Sequence, residues 1–452
     1  MGSFLAYELA PQPPSLFYEG VMRKPVKSSL GVLLKAFVTQ ESELPEHGLY
    51  VLDGGHLLHT VVWPKPSTYK SVYQSYVSYT LTHFGAGTTV VFDGYASKTS
   101  TKIAEQKRRA QKCTSSDIIF DENMITTTTQ AAFLANSNNK KRLIHTLCDK
   151  MRSAGICVKQ ADADADTLIV STALSIAESQ VLPVVVVGTD TDLLVMLLAR
   201  ATTTTEIFML CRSSPITLYN ILEMQRVIGE TKKYLLFLHA VTGCDTVSAI
   251  YRQGKRKAFN IMHTNKDYDM LDTFTKTQST HEEVTRAGEQ FLLKVYGANN
   301  CRSLDEFRCI AYKRAIAKSS LSSSFELASL PPTSASAMYH FYRTYLIVQE
   351  WLGNILPPTE WGWKVDDGDL IPITTDLPVA PDKLLHMVSC GCKADGCGAA
   401  CGCRKLGLYC TSMCLKCMGA TCHNATPISL EIDDEELLLT PLNVDGEDYH
   451  NT

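Results

Sequence analysis

From about residue 48 to residue 211 the chain alternates short apolar runs with longer, helix-periodic polar stretches. Tyr50-Val51-Leu52-Asp53 predicts a buried strand that runs into the turn signal Gly54-Gly55. Thr68 to His83 predicts a helix, Thr88 to Asp93 a second strand, 101 to 111 a basic polar helix, and Lys140 to Ser153 another helix. Gly155 to Val158 is expected as a third strand and Asp166 to Ala177 as a helix. Val184 to Val187 is continuous and β-branched, as a parallel strand buried on both faces should be, and Glu206 to Cys211 reads as a fifth strand. Strands alternating with helices imply an α/β fold, a doubly wound parallel sheet with right-handed crossovers. After about Gly229 the pattern is mainly helical up to Gly353.

Residues 1–45 read as an irregular lead-in with one short helix in the apolar stretch Leu30 to Phe37 and no core of its own. The α/β pattern occupies 46–262, a helical extension 263–355 and a linker 356–386. A cysteine-rich segment follows over 387–424, then an acidic, Leu-rich tail over 425–452 that is expected to be disordered when unbound. No run approaches the roughly 20 apolar residues that cross a bilayer, and no basic-then-apolar leader opens the chain. A soluble, intracellular protein is expected.

Charge changes this picture only once its distribution is considered. The formal net charge is −4, but the tail holds eight acidic residues and no Lys or Arg. Setting those eight aside reduces the 47 acidic residues to 39, against 43 basic ones. The body is therefore moderately basic, as a partner of a polyanion would be.

Carboxylates recur where the strands are expected to end. Asp53 ends the first and Asp93 the second; Asp162, Asp164 and Asp166 follow the third, Asp190 and Asp192 the fourth, and Asp245 lies in Thr242-Gly243-Cys244-Asp245. Ligands of open α/β sheets gather at the carboxyl ends of the strands. A lone strand-end Asp is usually a helix cap or turn residue, and Asp162 keeps that reading. The Asp-x-Asp pairs after successive strands point instead to hard cations. Two such ions about 4 Å apart activate water and stabilise the attacking and leaving oxygens of a phosphodiester, and Mg²⁺ or Mn²⁺ suits an all-oxygen set.

These residues carry a resemblance. Asp53-Gly54-Gly55-His56-Leu57-Leu58-His59 resembles the first motif of PIN-like nucleases. Phe92-Asp93-Gly94, followed by Lys102 to Arg109, resembles the second motif of flap endonucleases. Gly155-Ile156 with Asp164 nine residues after the glycine, then Asp190-x-Asp192 and Gly243-Cys244-Asp245, complete the series in the family's order. The likeness implies that Asp53, Asp93 and Asp164 hold one ion and Asp190, Asp192 and Asp245 a second, with Asp166 between them. It also implies that Lys102 and Arg109 steer and polarise the scissile phosphate, although a solvated basic helix explains them as well. Asp164 and Asp166 stand where that family uses Glu. Its Gly-x-Gly hairpin appears here as Arg252-Gln253-Gly254, followed by the basic run Lys255-Arg256-Lys257, which suits phosphate contacts. Lys140-Lys141-Arg142 reads as solvated surface.

Of sixteen cysteines, nine fall in the short segment: 390, 392, 397, 401, 403, 410, 414, 417 and 422. Such density in an intracellular chain favours metal over disulfides. About three Zn²⁺ would need twelve bonds, which six terminal and three bridging sulfurs supply. The scattered set, Cys113, Cys148 and Cys157 among them, reads as core thiols. Cys390-Gly391-Cys392, Cys401-Gly402-Cys403-Arg404-Lys405 and Cys410 resemble the tesmin-type CXC domain, a family associated with DNA and chromatin. That likeness makes Arg404, Lys405 and Tyr409 candidate DNA contacts. The whole arrangement, with Pro331-Pro332-Thr333 and Trp361-Gly362-Trp363, resembles mobile-element-derived proteins of animals.

The reading is a metal-dependent, structure-specific nuclease acting in the nucleus on DNA with branched or single-stranded ends. RNA is the alternative polyanion, and a protein is a candidate partner for the acidic tail. A DNA- or chromatin-binding protein that keeps the nuclease fold without turnover is the competing reading.

Overall fold

The computed structural model describes residues 2–41, 43–94, 115–162, 164–202, 205–212, 215–264, 268–318, 325–381, 389–392, 396–405, 408–410, 414, 416–419 and 422–425. The expected helix over 101–111, with Lys102 and Arg109, lies outside them, as do Cys113 and the tail from 426 onward. Contacts divide the chain into two compact units, Met1–Val379 and Ala380–Thr452.

The first unit is built on six strands: β1 (Leu49–Asp53), β2 (Thr89–Phe92), β3 (Cys157–Gln160), β4 (Val184–Val187), β5 (Ile207–Cys211) and β6 (Thr217–Asn220). Their spatial order is 3-2-1-4-5-6. The first five run parallel. The sequence reading missed β6, which is antiparallel to β5, with Phe208 opposite Asn220 and Cys211 opposite Thr217.

The helices that matter below are α1 (Ser28–Lys35), α2 (Gly54–Thr60), α3 (Tyr69–Phe84), α4 (Ser137–Ser153), α5 (Asp166–Ser179), α6 (Thr191–Arg200), α7 (Leu235–Val241), α8 (Lys255–Thr264), α9 (His281–Tyr296) and α10 (Ser334–Leu352). Alternate strand residues feed two cores, as the two-residue period of a strand requires. Val51, Val91, Val184, Val186, Ile207 and Met209 join Ile169 and Val170 of α5 and the apolar run of α6. Leu52, Val90, Phe92, Val185 and Val187 join α2, α3 and α4 through Leu58, Tyr76 and Leu147. Both faces are thus covered, which is the doubly wound arrangement. Each such side chain contributes about 1.5–3 kcal/mol by leaving water.

The lead-in has no separate core because it joins this one: Leu16, Phe17, Leu30 and Leu34 are buried with α5 and α6. Glu8 accepts from the Thr333 amide and hydroxyl at 2.8 and 2.9 Å, just before α10, and pairs with buried Arg308 at 3.4 Å. Cys148 is buried as expected, whereas Cys157 is exposed, since β3 is the sheet's edge strand. Among the described residues, no helix is long and apolar enough to cross a membrane.

Helices α9 and α10 meet where Gly288 faces Phe341; a Cβ on Gly288 would lie 2.4 Å from the ring. Gly288→Ala is therefore expected to destabilise the unit by about 1–3 kcal/mol through overpacking, even though alanine favours helix. Denaturant unfolding checks this, and a gain in stability would show that the contact yields.

Among the described residues of the second unit, eight buried cysteines pack on one another, with Cys392 and Ala425 against them. Gly402–Lys405 forms a short helix.

Candidate metal centre

In an open parallel sheet the ligand crevice opens where the strand order reverses, outside the carboxyl ends. Here that point lies between β1 and β4, with β2 and β3 on one side and β5 on the other. Asp53 ends β1 and caps α2, its Oδ1 accepting from the Gly55 and His56 amides at 2.8 and 3.2 Å. Asp190 follows β4 and caps α6, accepting from the Asp192 amide at 3.0 Å. Both are helix caps, as the plain reading of a strand-end Asp predicts, but they do not stand alone. Asp166, Asp190 and Asp192 each offer an oxygen, all within 4.8 Å of one another.

Asp93 is drawn toward the same place by its backbone. A Cβ on Gly94 would fall 1.9 Å from the Ala161 carbonyl oxygen, so only glycine lets the end of β2 pass this close to the turn after β3. Asp93 Oδ1 accepts from the Ala165 amide at 3.3 Å, between Asp164 and Asp166. Its other oxygen lies 3.5 Å from Lys140 Nζ, so Lys140 is tied to the acids and is not plain surface. Asp164 is half-buried in that turn and Asp162 is exposed.

Crowding shows in the electrostatics. Burial, then Asp166 and Asp93, push the Asp53 carboxyl up to about 7. Burial and Asp192 also raise Asp190, with Asp166 adding to the effect. Asp166 thus lies electrically between the two strand-end acids. Buried like charges resist ionisation, and a divalent cation among them would remove that resistance.

Two groups here escaped the sequence reading, and a third was given another role. Lys27, just before α1, places Nζ 2.8 Å from Asp245 Oδ2 and 3.1 Å from Asp192 Oδ2. Burial opposes its charge, but Asp192, Asp190 and Asp245 outweigh that and hold its pKa above the ordinary lysine value. Buried His239 of α7 donates from Nε2 to Asp192 Oδ1 at 2.8 Å. Burial and Lys255 hold its ring neutral, down at about 4. Lys255 is the third and corrects an expectation. It is 2% exposed, and its ammonium donates to His239 Nδ1 and O, Thr242 Oγ1 and the Gly243 carbonyl. Its pKa is pushed down by burial to about 7. The side chain that was expected to contact phosphate therefore fixes the ring that fixes Asp192. Arg256 and Lys257 are exposed, and Arg252 takes the left-handed φ of 57° at the position where the resembled hairpin has glycine.

No family model matches the chain, and no curated protein does. Among solved structures, the catalytic core of Rad2 in complex with DNA substrate matches at 13% identity and a TM-score of 0.36, over 73% of this chain and 99% of that one. The T5 D15 protein co-crystallised with metal ions matches at 13% identity and a TM-score of 0.34, over 68% and 99%. The Holliday junction-resolving enzyme GEN1 with product DNA and Mg²⁺ matches at 11% and 0.31, over 74% and 75%. Likenesses this distant carry no weight for the chemistry, which rests on the side chains above.

Beside the acids a cleft of about 680 Å³ opens, lined among the described residues by Gly94, Asn138, Lys141, Arg142, His145 and Asp162. One wall is basic, set next to the carboxylates at the end of β2.

The second unit holds a separate set of ligands. Cys390, Cys397, Cys401 and Cys410 form one group of close sulfurs, Cys390, Cys410, Cys414 and Cys417 another, and Cys397, Cys410, Cys417 and Cys422 a third. Sulfurs lie 3.7 Å apart for Cys390–Cys397 and Cys401–Cys410, and 3.6 Å for Cys403–Cys414. A disulfide would need about 2 Å. Two thiolates on one tetrahedral Zn²⁺ stand about 3.8 Å apart, given bonds of about 2.3 Å. Arg404 and Lys405 are exposed on the short helix, and Tyr409 is half exposed.

Proposed function

We propose that the chain is a divalent-metal-dependent nuclease for DNA with branched or single-stranded ends, and that its cysteine unit is a zinc-held DNA-binding module. The observation that carries this is the convergence of Asp166, Asp190 and Asp192 beside Asp53, whose carboxyl is held near 7 at the sheet's switch point. Mg²⁺ or Mn²⁺ supplies water activation and charge stabilisation when bound to such carboxylates. Asp53, Asp93, Asp164, Asp166, Asp190, Asp192 and Asp245 make up the proposed acidic centre. The caps on Asp53 and Asp190 and the His239 bond on Asp192 fix three of these carboxylates before any ion arrives, so little reorganisation is left to bind one.

The basic wall of Lys141, Arg142 and His145 suits a phosphate backbone approaching that edge. Arg256, Lys257, Arg404, Lys405 and Tyr409 are the proposed outer contacts to DNA, and Lys102 and Arg109 the proposed phosphate-steering pair. The nine cysteines are proposed to hold about three Zn²⁺, with bridging sulfurs where the groups overlap.

Labelled flap, hairpin and linear DNA, incubated with the protein in Mg²⁺ or Mn²⁺, tests the enzyme. Cleavage is expected, with a loss of about 100-fold or more in Asp190→Ala, the scale on which removing one preorganised charge acts. Metal-independent binding with no cleavage would instead leave a DNA-binding scaffold.

A further inference from the structure

Asp192 and Asp245, two of the three acids expected to hold a second ion, already share a cation in the chain itself. Lys27 Nζ bonds to both, at 3.1 and 2.8 Å. The other Asp192 oxygen accepts from His239, so both of its oxygens are engaged by donors, and Asp192 is 1% exposed. The lysine is no loose surface arm. It precedes α1, whose Leu30 and Leu34 are fully buried, and whose Gly31 packs against the Thr191 side chain at the start of α6. A cation at a helix N-terminus works against the helix dipole, and Lys27 makes no capping bond to α1. The acids at its head offset that cost.

Resting on the reading of the acidic cluster as a metal centre, we infer that Lys27 takes the place of the second ion. The chain binds one divalent cation on the side of Asp53, Asp93, Asp166 and Asp190, and its ammonium serves as the fixed charge at Asp192 and Asp245. An ion bridging those two oxygens would have to stand where Nζ stands, and two cations in one such space repel. A permanent single charge in that position offsets part of the negative charge of Asp192 and Asp245 in the absence of metal. It also leaves a hydrogen-bond donor, rather than a Lewis acid, facing the crevice.

Counting bound Mn²⁺ on zinc-loaded full-length protein tests this without recourse to cleavage. Loss of the free-ion electron paramagnetic signal gives the number; the thiolates keep their zinc because Mn²⁺ prefers oxygen. Asp53→Asn/Asp166→Asn serves as the background. Wild type is expected to bind one Mn²⁺ at the acids and Lys27→Met two. Lys27→Met should also melt lower than wild type without Mn²⁺ and recover on its addition. Two ions on the wild type, or one on a folded Lys27→Met, would overturn the role of Lys27 and leave the metal centre standing. No ion on either would sink both. Lys27→Gln, which keeps the length and a donor, carries the same count should the methionine variant not fold.

Discussion

Asp53→Asn is expected to melt higher than wild type at pH 8 without added Mg²⁺ or Mn²⁺, and to have lost metal-dependent cleavage by about 100-fold or more. Asparagine caps a helix as well as aspartate does, so the bonds to the Gly55 and His56 amides survive. What disappears is a buried negative charge beside Asp166 and Asp93. With its pKa raised to about 7, the Asp53 carboxyl is protonated in both folded and unfolded chains below about pH 4. Between about 4 and 7 the folded chain keeps a proton that the unfolded chain has released, so stability falls as pH rises, and above 7 the full penalty is present. Its size is a few kcal/mol, at about 1.4 kcal/mol per pH unit of displacement. The advantage of Asp53→Asn should therefore be largest at pH 8 and vanish toward pH 4. Melting curves of the zinc-loaded proteins across that range check it. A variant that melts lower at pH 8 would refute the charge penalty at Asp53.

The other large effect concerns the cysteine unit. Cys410 belongs to all three groups of close sulfurs and Cys392 to none. Cys410→Ser is expected to lose more than one zinc ion per chain and to leave the unit open to proteolysis, whereas Cys392→Ser should lose at most one. Among the described residues, sulfur supplies most of the buried interior of this unit. Each structural zinc site contributes about 10 kcal/mol or more to folding, so a shared ligand removes far more than one contact. Metal content by atomic absorption, with limited proteolysis, decides the matter. Full zinc content in Cys410→Ser would refute the shared-ligand arrangement.

The parallel strands and their acids were legible because each signal is local. Val184 to Val187 can be little other than a buried strand, and an Asp after each of the first four strands is a matter of counting. The misses have physical causes. β6 is only four residues, Thr217 to Asn220, too short to show a period. Lys255 was read by its charge in a basic triplet. Helical spacing places it instead on one face with Ala258, Phe259 and Met262, all buried. That signal was present and was outweighed by composition. His239 was likewise visible as a lone imidazole in an apolar run, but its partner Asp192 lies 47 positions away and no spacing rule joins them. Lys27 gave no signal at all. It lies 165 residues from Asp192, in a stretch with no recognisable motif, and only the docking of α1 on α6 brings them together.

The route of the first 45 residues bears on how the chain is handled. A fragment begun at residue 46, where the α/β pattern is expected to start, would keep every aspartate of the cluster and still be electrically a different molecule. It would lack the ammonium between Asp192 and Asp245, and it would leave Arg308 buried without the carboxylate of Glu8. Trimming the lead-in would strip the opposite charges from Asp192, Asp245 and Arg308 at once.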